Sequence, residues 1–240
     1  MRHLTAVVLT TFLALAPFSL TPLTAQTLGD PDAAITNGGG ALPFGLFVSP
    51  AVSTLGLGLE GGLRLNETFG FRLGGNGLAF DYDGVEGNVD YEADVTLASL
   101  ATLVDYHPFQ GGFRLSGGLR FNFNQLDLDG TPNDDITIGD TAFSPEEVGT
   151  LTGDVGFGVL APYLGIGYGA TLLQGALSIG FDLGVMYQGQ ADVDLGSENG
   201  LLSNSAALDA SLAIEEDEVE DDLEDFFLYP VLGLAVIYRF

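Results

Sequence analysis

Apolar and polar residues alternate along much of this chain, and the alternation is clearest at its C-terminal end. Counted back from Phe240, every second residue is apolar: Tyr238, Val236, Leu234, Leu232, Pro230 and Leu228. A period of two predicts a β-strand with one apolar face. An apolar face that ends on a terminal aromatic residue is typical of the closing strand of a transmembrane β-barrel.

The same period recurs upstream and predicts eight strands. The predicted strands are 42–49, 53–65, 69–82, 91–106, 113–124, 155–169, 177–188 and 228–240. Because a barrel must present apolar residues to lipid on every strand, this pattern favours an all-β fold, an eight-stranded antiparallel transmembrane β-barrel.

Two of the predicted strands depart from the simple pattern. In 69–82 the apolar parity switches between Leu73 and Leu78, and we expect a bulge in the glycine-rich segment 74–77 to cause the switch. In 91–106 the apolar face is less regular. It comprises Ala93, Val95, Leu97, Ala101 and Leu103.

The links between strands predict which end faces which compartment. The links 66–68, 107–112 and 170–174 are short, which is typical of periplasmic turns, whereas 127–154 and 190–225 are long acidic loops expected outside. Ser144 and Pro145 predict one helical turn at 144–147. A second helix is predicted in the loop before the last strand, within 205–225, where four apolar residues have helical spacing: Leu208, Leu212, Val219 and Leu223.

The N-terminal residues predict export. A basic start, a short apolar run and Ala25 before Gln26 indicate a cleaved signal peptide at 1–25, followed by a flexible lead at 26–41 and the barrel at 42–240. We therefore expect the outer membrane as the location. The absence of cysteine excludes disulfides and thiolate chemistry.

The charge balance restricts the partners. The chain carries 33 acidic and six basic residues, a net charge of −27, and all acids lie beyond residue 25. Nucleic acid is therefore not an expected partner, because its recognition needs basic surface. No cofactor is predicted.

The arginines beyond the signal peptide all fall on the predicted inward face, together with two acids. This predicted lumen network comprises Glu60, Arg64, Arg72, Arg114, Arg120, Asp182 and Arg239. One interpretation is a salt-bridge network that fills the lumen, as is usual for eight strands. The other is a polar path for small anions or other solutes, since eight inward glycines could leave a cavity.

Two acidic loop segments resemble the beginning of calcium loops. Asp81, Asp83, Asp127 and Asp129 are the candidate ligands, although neither segment continues to a complete calcium motif. Divalent cations that bridge these loops to lipopolysaccharide phosphates are a second possibility for them. No catalytic residue is predicted, because the single histidine after the signal peptide, His107, lies in a predicted periplasmic turn without a nearby serine.

With its signal peptide, its alternating strands and the ending Tyr238-Arg239-Phe240, the chain resembles the small Gram-negative outer-membrane barrel proteins of the OmpW-like and OmpA-transmembrane-domain-like groups. The resemblance implies that Val236, Tyr238 and Phe240 form an assembly signal for the barrel-assembly machinery, and that outer-membrane lipid and lipopolysaccharide surround the barrel. It leaves three functions open. The first is porin-like passage or binding of a small solute, with or without a structural role. The second is a non-conducting surface module whose acidic loops bind a partner or divalent cations, and the third is a lipid-modifying enzyme.

Overall fold

The computed structural model describes residues 45–172 and 176–240. The predicted signal peptide and lead lie outside the described residues, as do 42–44 of the predicted first strand. The strands are β1 Gly45–Ser53, β2 Gly56–Arg64, β3 Phe69–Glu86, β4 Val89–Tyr106, β5 Phe113–Asn122, β6 Gln125–Pro132, β7 Ile136–Ile138, β8 Thr141–Phe143, β9 Gly149–Phe157, β10 Leu160–Leu172, β11 Leu177–Tyr187, β12 Ala191–Asn199 and β13 Leu228–Arg239. The helices are α1 Pro145–Val148, α2 Ala206–Asp222 and a 3-10 turn at Glu224–Phe227.

Eight of these strands close into a barrel. Their order is β1-β2-β3-β4-β5-β10-β11-β13, and β13 pairs with β1 to complete the circle. Every neighbouring pair is antiparallel. The predicted eight-stranded antiparallel barrel is therefore confirmed, and closure leaves its strands no free edge.

An apolar band covers the outside of the barrel. Leu57, Leu100, Leu164 and Leu234, each on a different strand, are 66%, 55%, 70% and 51% exposed. The residues next to each of them in its strand point inward. So much exposed leucine is costly in water and favourable in lipid. In β13 the exposed residues are the apolar set that the sequence predicts, including Val236 and Tyr238.

The short links gather at one end of the barrel. Strands β2, β4 and β10 all end at the end of the barrel that holds Gly45 and Phe240, because Gly45 pairs with Arg64 and Leu177 pairs with Tyr238. This grouping agrees with the topology predicted from link lengths, in which that end faces the periplasm.

At the opposite end, the wall of the barrel rises on one side only. The head comprises residues 78–97, 125–157 and 191–227. In the head, β6 takes over from β5 as the partner of β4 and keeps the same register. In the same way, the pairing of β9 with β6 continues the register of the pairing of β10 with β5. With the upper parts of β3 and β4 and with β12, these strands form a five-stranded upper sheet. The prediction of a loop over 127–154 is therefore wrong for most of its length, although its helical turn is confirmed as α1.

The expected bulge in 74–77 is also wrong. The pairing of β3 with β4 runs without interruption from Phe69–Tyr106 to Glu86–Val89. The apolar parity switches because the environment changes: in the barrel the outer face meets lipid, whereas in the head the inner face packs on an apolar core. Phe80 is partly buried and packs against that core.

The same change of environment explains the irregular face of β4. Its apolar residues Ala93, Val95 and Leu97 are buried on the inner face of the head, and Ala101 and Leu103 are buried in the lumen. The lipid-facing residues of β4 are instead Leu100 and Val104, both at least half exposed.

The first two strands differ from prediction at their shared turn. β1 continues through Pro50 to Ser53, and β2 begins at Gly56 rather than at residue 53. The β1–β13 pairing skips Ser49 and Pro50, as expected where a proline cannot donate to the ladder.

Helix α2 confirms the helix predicted before the last strand. Its four predicted apolar residues, Leu208, Leu212, Val219 and the C-cap residue Leu223, are all buried. The helix lies along β12, the edge strand of the upper sheet. Glu216 and Glu220 accept hydrogen bonds from the backbone amides of Leu195 (2.7 Å) and Val193 (3.3 Å). The helix thus satisfies strand-edge donors that would otherwise remain open to another chain.

None of the helices in the described part of the chain is long and apolar enough to cross a membrane.

Candidate functional sites: the lumen and the acidic head

A network of charged side chains centred on Arg72 crosses the lumen. Its guanidinium donates to Glu60 Oε2 (3.0 Å), Asp105 Oδ1 (3.1 Å) and Ser116 Oγ (3.2 Å), and lies 3.5 Å from Asp182. These residues come from β3, β2, β4, β5 and β11, so the network ties together strands from opposite sides of the barrel. Arg72 is only 3% exposed. A charge this deeply buried is tolerated because it is paired and hydrogen-bonded.

The second arginine of the network, Arg114, extends it. Its guanidinium lies 2.5 Å from Asp182, which is therefore shared with Arg72. Ser116 donates to the Asp105 carboxylate at 2.5 Å. The carboxylates of Asp105 and Asp182 are thus each held by two side chains, whereas Glu60 is held by Arg72.

Arg120 is buried in a different way. It is 4% exposed, yet no carboxylate of the described residues lies within ion-pair distance of it. Its Nη1 donates to Asn76 (3.4 Å) and Ser99 (3.3 Å), and its guanidinium carbon lies 5.0 Å from the ring centre of Tyr163. Neutral dipoles and a ring face hold this cation.

The structure brings together five of the seven predicted lumen residues. Glu60, Arg72, Arg114 and Asp182 form the ion-paired network, and Arg120 lies beside it. Arg64 and Arg239 lie apart near the periplasmic end, where Arg64 donates to the Glu67 carbonyl (2.9 Å) and Arg239 to the Ser178 hydroxyl.

Sequence reasoning missed Asp105 and Ser116, which complete the network. Asp105 shares its strand face with Ala93 to Leu103, the face that the pattern predicts to be apolar. A carboxylate on this face is itself a signal, because a charged group on the lipid side is costly. Its parity indicates that this face of β4 points inward.

The charged centre of the lumen holds very little free space. The cavity among Glu60, Arg72, Arg120 and Tyr163 measures about 20 Å³, which accommodates about one water molecule. The inward glycines do not leave a void, because large neighbours occupy the space. A Cβ at Gly165 or Gly184 would collide with the Tyr163 hydroxyl, and one at Gly167 with the Arg114 guanidinium.

The outer face of the head carries a row of aspartates in register. Asp81 pairs with Asp94, Asp94 with Asp127, Asp127 with Asp154, and Asp154 with Asp194. This aspartate row crosses all five strands of the upper sheet. Side chains directly opposite one another lie about 5 Å apart, and like charges in these positions repel. The carboxyl of Asp81 raises the pKa of Asp94, and burial, followed by Asp154, raises the pKa of Asp127.

The four predicted metal candidates lie on this face but not in calcium loops. Asp81 and Asp127 belong to the aspartate row. Asp83 and Asp129 lie one step further up, where both pair with Glu92. Within the described residues, no group of three or more potential ligands is close enough to hold one metal ion. The motif therefore identified residues of one surface, while the expected loop geometry is absent from it.

Beneath helix α2, the head encloses a cavity of about 380 Å³. Its walls come from β4, β6, β7, β9, β12 and α2, and its apolar lining includes Val89, Tyr91, Leu128, Ile138 and Leu212, all buried. Glu215 of α2 also lines it and is 7% exposed. No sequence pattern indicates this cavity, because much of its wall falls in segments that the sequence predicts to be loop.

His107 lies in the turn after β4, as predicted. It is buried, and its Nδ1 has no hydrogen-bond partner among the described residues. Burial, followed by the charge of Arg64, lowers the pKa of His107 to about 4, so the ring is neutral at pH 7. The carboxylate of Asp105 is engaged by Arg72 and Ser116, and it makes no hydrogen bond with Nδ1 of His107.

Comparison with known proteins supports the fold. No protein-family model and no curated protein matches the chain. Among solved structures, Acinetobacter baumannii CarO2 is 19% identical over 82% of this chain and 98% of that chain, with a TM-score of 0.56. CarO from the same species is 20% identical over 81% and 97%, with a TM-score of 0.54. A major outer membrane protein from Thermus thermophilus is 18% identical over 82% and 99%, with a TM-score of 0.43.

These similarities concern the fold. The chain has the fold of the small eight-stranded outer-membrane β-barrel proteins, and the resemblance seen in the sequence is confirmed at that level. The solute, the partner and the activity do not follow from it.

Proposed function

We propose that this protein is a non-conducting surface module of the outer membrane, in which the barrel is an anchor and the acidic head is the binding part. The observation that carries the proposal is the network of Arg72 with Glu60, Asp105 and Asp182 across the lumen. A path for solutes would need these ion pairs to separate while their partners remain buried, which is costly. Porin-like passage, the first hypothesis from the sequence, has no comparable support.

The charge of the head supports a binding role. The segments 73–106 and 121–238 contain no arginine, lysine or histidine, and 27 of the 33 acids lie in the head. A surface of one sign concentrates oppositely charged partners near it. The aspartate row lies just beyond the apolar band of the barrel, at the level of the lipid head groups. Divalent cations between its carboxylates and lipopolysaccharide phosphates would relieve the repulsion on both sides.

Two parts of the proposal concern how the protein reaches the membrane. The exposed residues Val236, Tyr238 and Phe240 present an aromatic, apolar end to the barrel-assembly machinery, and Tyr238 and Phe240 contact each other with ring centres 5.0 Å apart. Export removes 1–25, so N-terminal sequencing of the protein extracted from outer membranes should begin at Gln26. A start at Met1 would contradict it.

Planar-bilayer conductance tests the anchor role. The purified protein should give no current steps above baseline. The triple variant Glu60→Ser/Arg72→Ser/Asp105→Ser, which empties the centre of the network, is the positive control and should conduct. Regular current steps from the unmodified protein would overturn the proposal, whatever the triple variant does.

Calcium titration of the protein in lipid nanodiscs tests the role of the aspartate row. Asp94→Asn/Asp127→Asn should lower the heat of calcium binding, because it removes two charges from the centre of the row. Asp209→Asn/Asp217→Asn removes the same charge from exposed positions of helix α2 and should leave the heat unchanged. No heat at millimolar calcium would exclude the cation part of the proposal.

A further inference from the structure

The cavity beneath helix α2 differs from the lumen in size and in lining. At about 380 Å³ it is nearly twenty times the lumen void. It also falls within the range of ligand sites, which are typically apolar with a few fixed polar groups. Buried apolar residues form its floor, whereas Asn88, Asp135 and Thr137 at its rim are exposed. The rim provides a route from solvent to the floor.

Glu215 is the charged group of this cavity. Its Oε2 accepts a hydrogen bond from the Gly139 amide (3.1 Å), which fixes the side chain against the turn after β7. Its Oε1 has no hydrogen-bond partner among the described residues, although the residue is more than nine-tenths buried. This oxygen is therefore available to a hydrogen-bond donor that enters the cavity.

The described part of the chain supplies no cation to that oxygen. The head contains no basic side chain, and the other acid of the cavity lining, Asp135, adds negative charge at the rim. A ligand that pairs with Glu215 must therefore bring its own positive charge. A ligand carboxylate would find no counter-charge there, so zwitterions such as free amino acids are disfavoured.

We propose that this cavity binds a small organic cation, an amine with an apolar body and no carboxylate, whose ammonium group pairs with Glu215 while its body packs against Tyr91, Leu128 and Leu212. The site deepens the proposed function, because it gives the head a specific ligand in addition to its diffuse charge. The acidic outer face concentrates cations around the rim, and the apolar floor selects among them.

Calorimetry on the whole protein in nanodiscs tests the site with three compounds of similar size: 2-phenylethylamine, the neutral 2-phenylethanol and the zwitterion phenylalanine. Only the amine should bind saturably, at one per chain. Glu215→Gln retains an acceptor for Gly139 but loses the charge, and should weaken amine binding about tenfold or more. The matched control is Glu218→Gln, an exposed position on the same helix, which should bind like the unmodified protein.

A second variant tests the site independently in case Glu215→Gln disturbs the fold of the head. Gly153 faces the cavity from β9, and a Cβ there would lie 3.1 Å from the end of the Leu195 side chain, which can yield. Gly153→Val should therefore fill part of the site and abolish binding while the strand remains intact. Equal affinity for amine and alcohol, equal losses in the two glutamine variants, or no saturable binding would each overturn the proposal.

Failure here is distinguishable from failure of the proposed function. A protein that binds no amine and passes no current remains a non-conducting anchor with an empty cavity. A protein that conducts refutes the anchor role, whatever the cavity binds.

Discussion

Replacing Arg72 by methionine tests whether the lumen network stabilises the barrel. The substitution preserves most of the side-chain volume but removes the cation that Glu60 and Asp105 share, at 3.0 and 3.1 Å. A hydrogen bond to a charged group contributes about 1.5–3 kcal/mol, and the buried carboxylates left behind have no second cation of comparable reach. Breaking a buried ion pair by removing one partner costs about 3–5 kcal/mol, which is the loss expected here.

Arg120→Met is the matched comparison, because Arg120 is as deeply buried as Arg72 but has no carboxylate partner among the described residues. Its loss removes two long hydrogen bonds and a contact with the Tyr163 ring, and it also relieves the desolvation of a cation. We expect a cost below about 1.5 kcal/mol. The triple variant Arg72→Met/Glu60→Gln/Asp105→Asn should recover much of the loss, since the carboxylates that Arg72 neutralised are then uncharged.

Urea unfolding in lipid vesicles, followed by circular dichroism because the chain has no tryptophan, measures these differences. The expected gap between the two methionine variants corresponds to at least about a tenfold difference in the unfolding equilibrium constant. If Arg120→Met destabilised the barrel as much as Arg72→Met, burial rather than ion pairing would determine the cost, and the reasoning about the network would be refuted.

Three further predictions concern the head and the packing of the lumen. The raised pKa of Asp94 means that the folded head holds this proton more tightly than the unfolded chain does, so the stability of the head falls as the pH rises above 3.8 through the raised value. Asp94→Asn should therefore raise the melting temperature at pH 7 but not at about pH 3.5, which lies below both pKa values. A lower melting temperature of the variant at pH 7 would contradict this. Glu216→Ala should speed hydrogen exchange of the Leu195 amide about tenfold or more, because that amide loses its acceptor; unchanged exchange would show that the helix does not hold the strand edge. Gly184→Val should prevent assembly of the barrel, measured as loss of the heat-modifiable band on gels, because its Cβ has no room beside Tyr163; a normally folded variant would show that this packing can relax.

Most of the barrel was predictable from the sequence because six of its eight strands meet one environment on each face. In β13, lipid lies outside and the lumen inside along the whole length, so parity counted from Phe240 assigns every residue correctly. The inward placement of Arg72 and Arg114 follows from the same rule. The ion pairs do not follow from this rule. Parity determines the strand face on which a residue lies, but it does not determine which residues of different strands lie at the same height in the barrel.

The head was not predictable in this way, because its strands continue from the barrel into a second environment. In β3 and β4 the apolar face changes sides where the strand leaves the lipid, and a pattern method interprets that change as a bulge or as noise. In the upper sheet the alternation is present, as Leu126, Leu128 and Val155 show, but acids occupy the other face. If the outer face of a strand is assumed to contact lipid, acids on that face suggest a loop instead of a strand. On a strand above the membrane, acids are ordinary solvent-facing residues.

Inward glycines were the remaining argument for an open lumen, and the structure shows why that inference fails. A glycine removes a side chain only at its own position, and in a closed barrel the neighbouring strands direct large residues into the same space. Tyr163 occupies the room left by Gly165 and Gly184, and Arg114 that left by Gly167. The small residues are therefore a condition for burying the large ones, since a Cβ at any of these positions would displace the ring or the guanidinium. A glycine-rich inner face in a narrow barrel therefore does not by itself predict an open lumen, because it also makes room for bulky polar groups that cross the lumen.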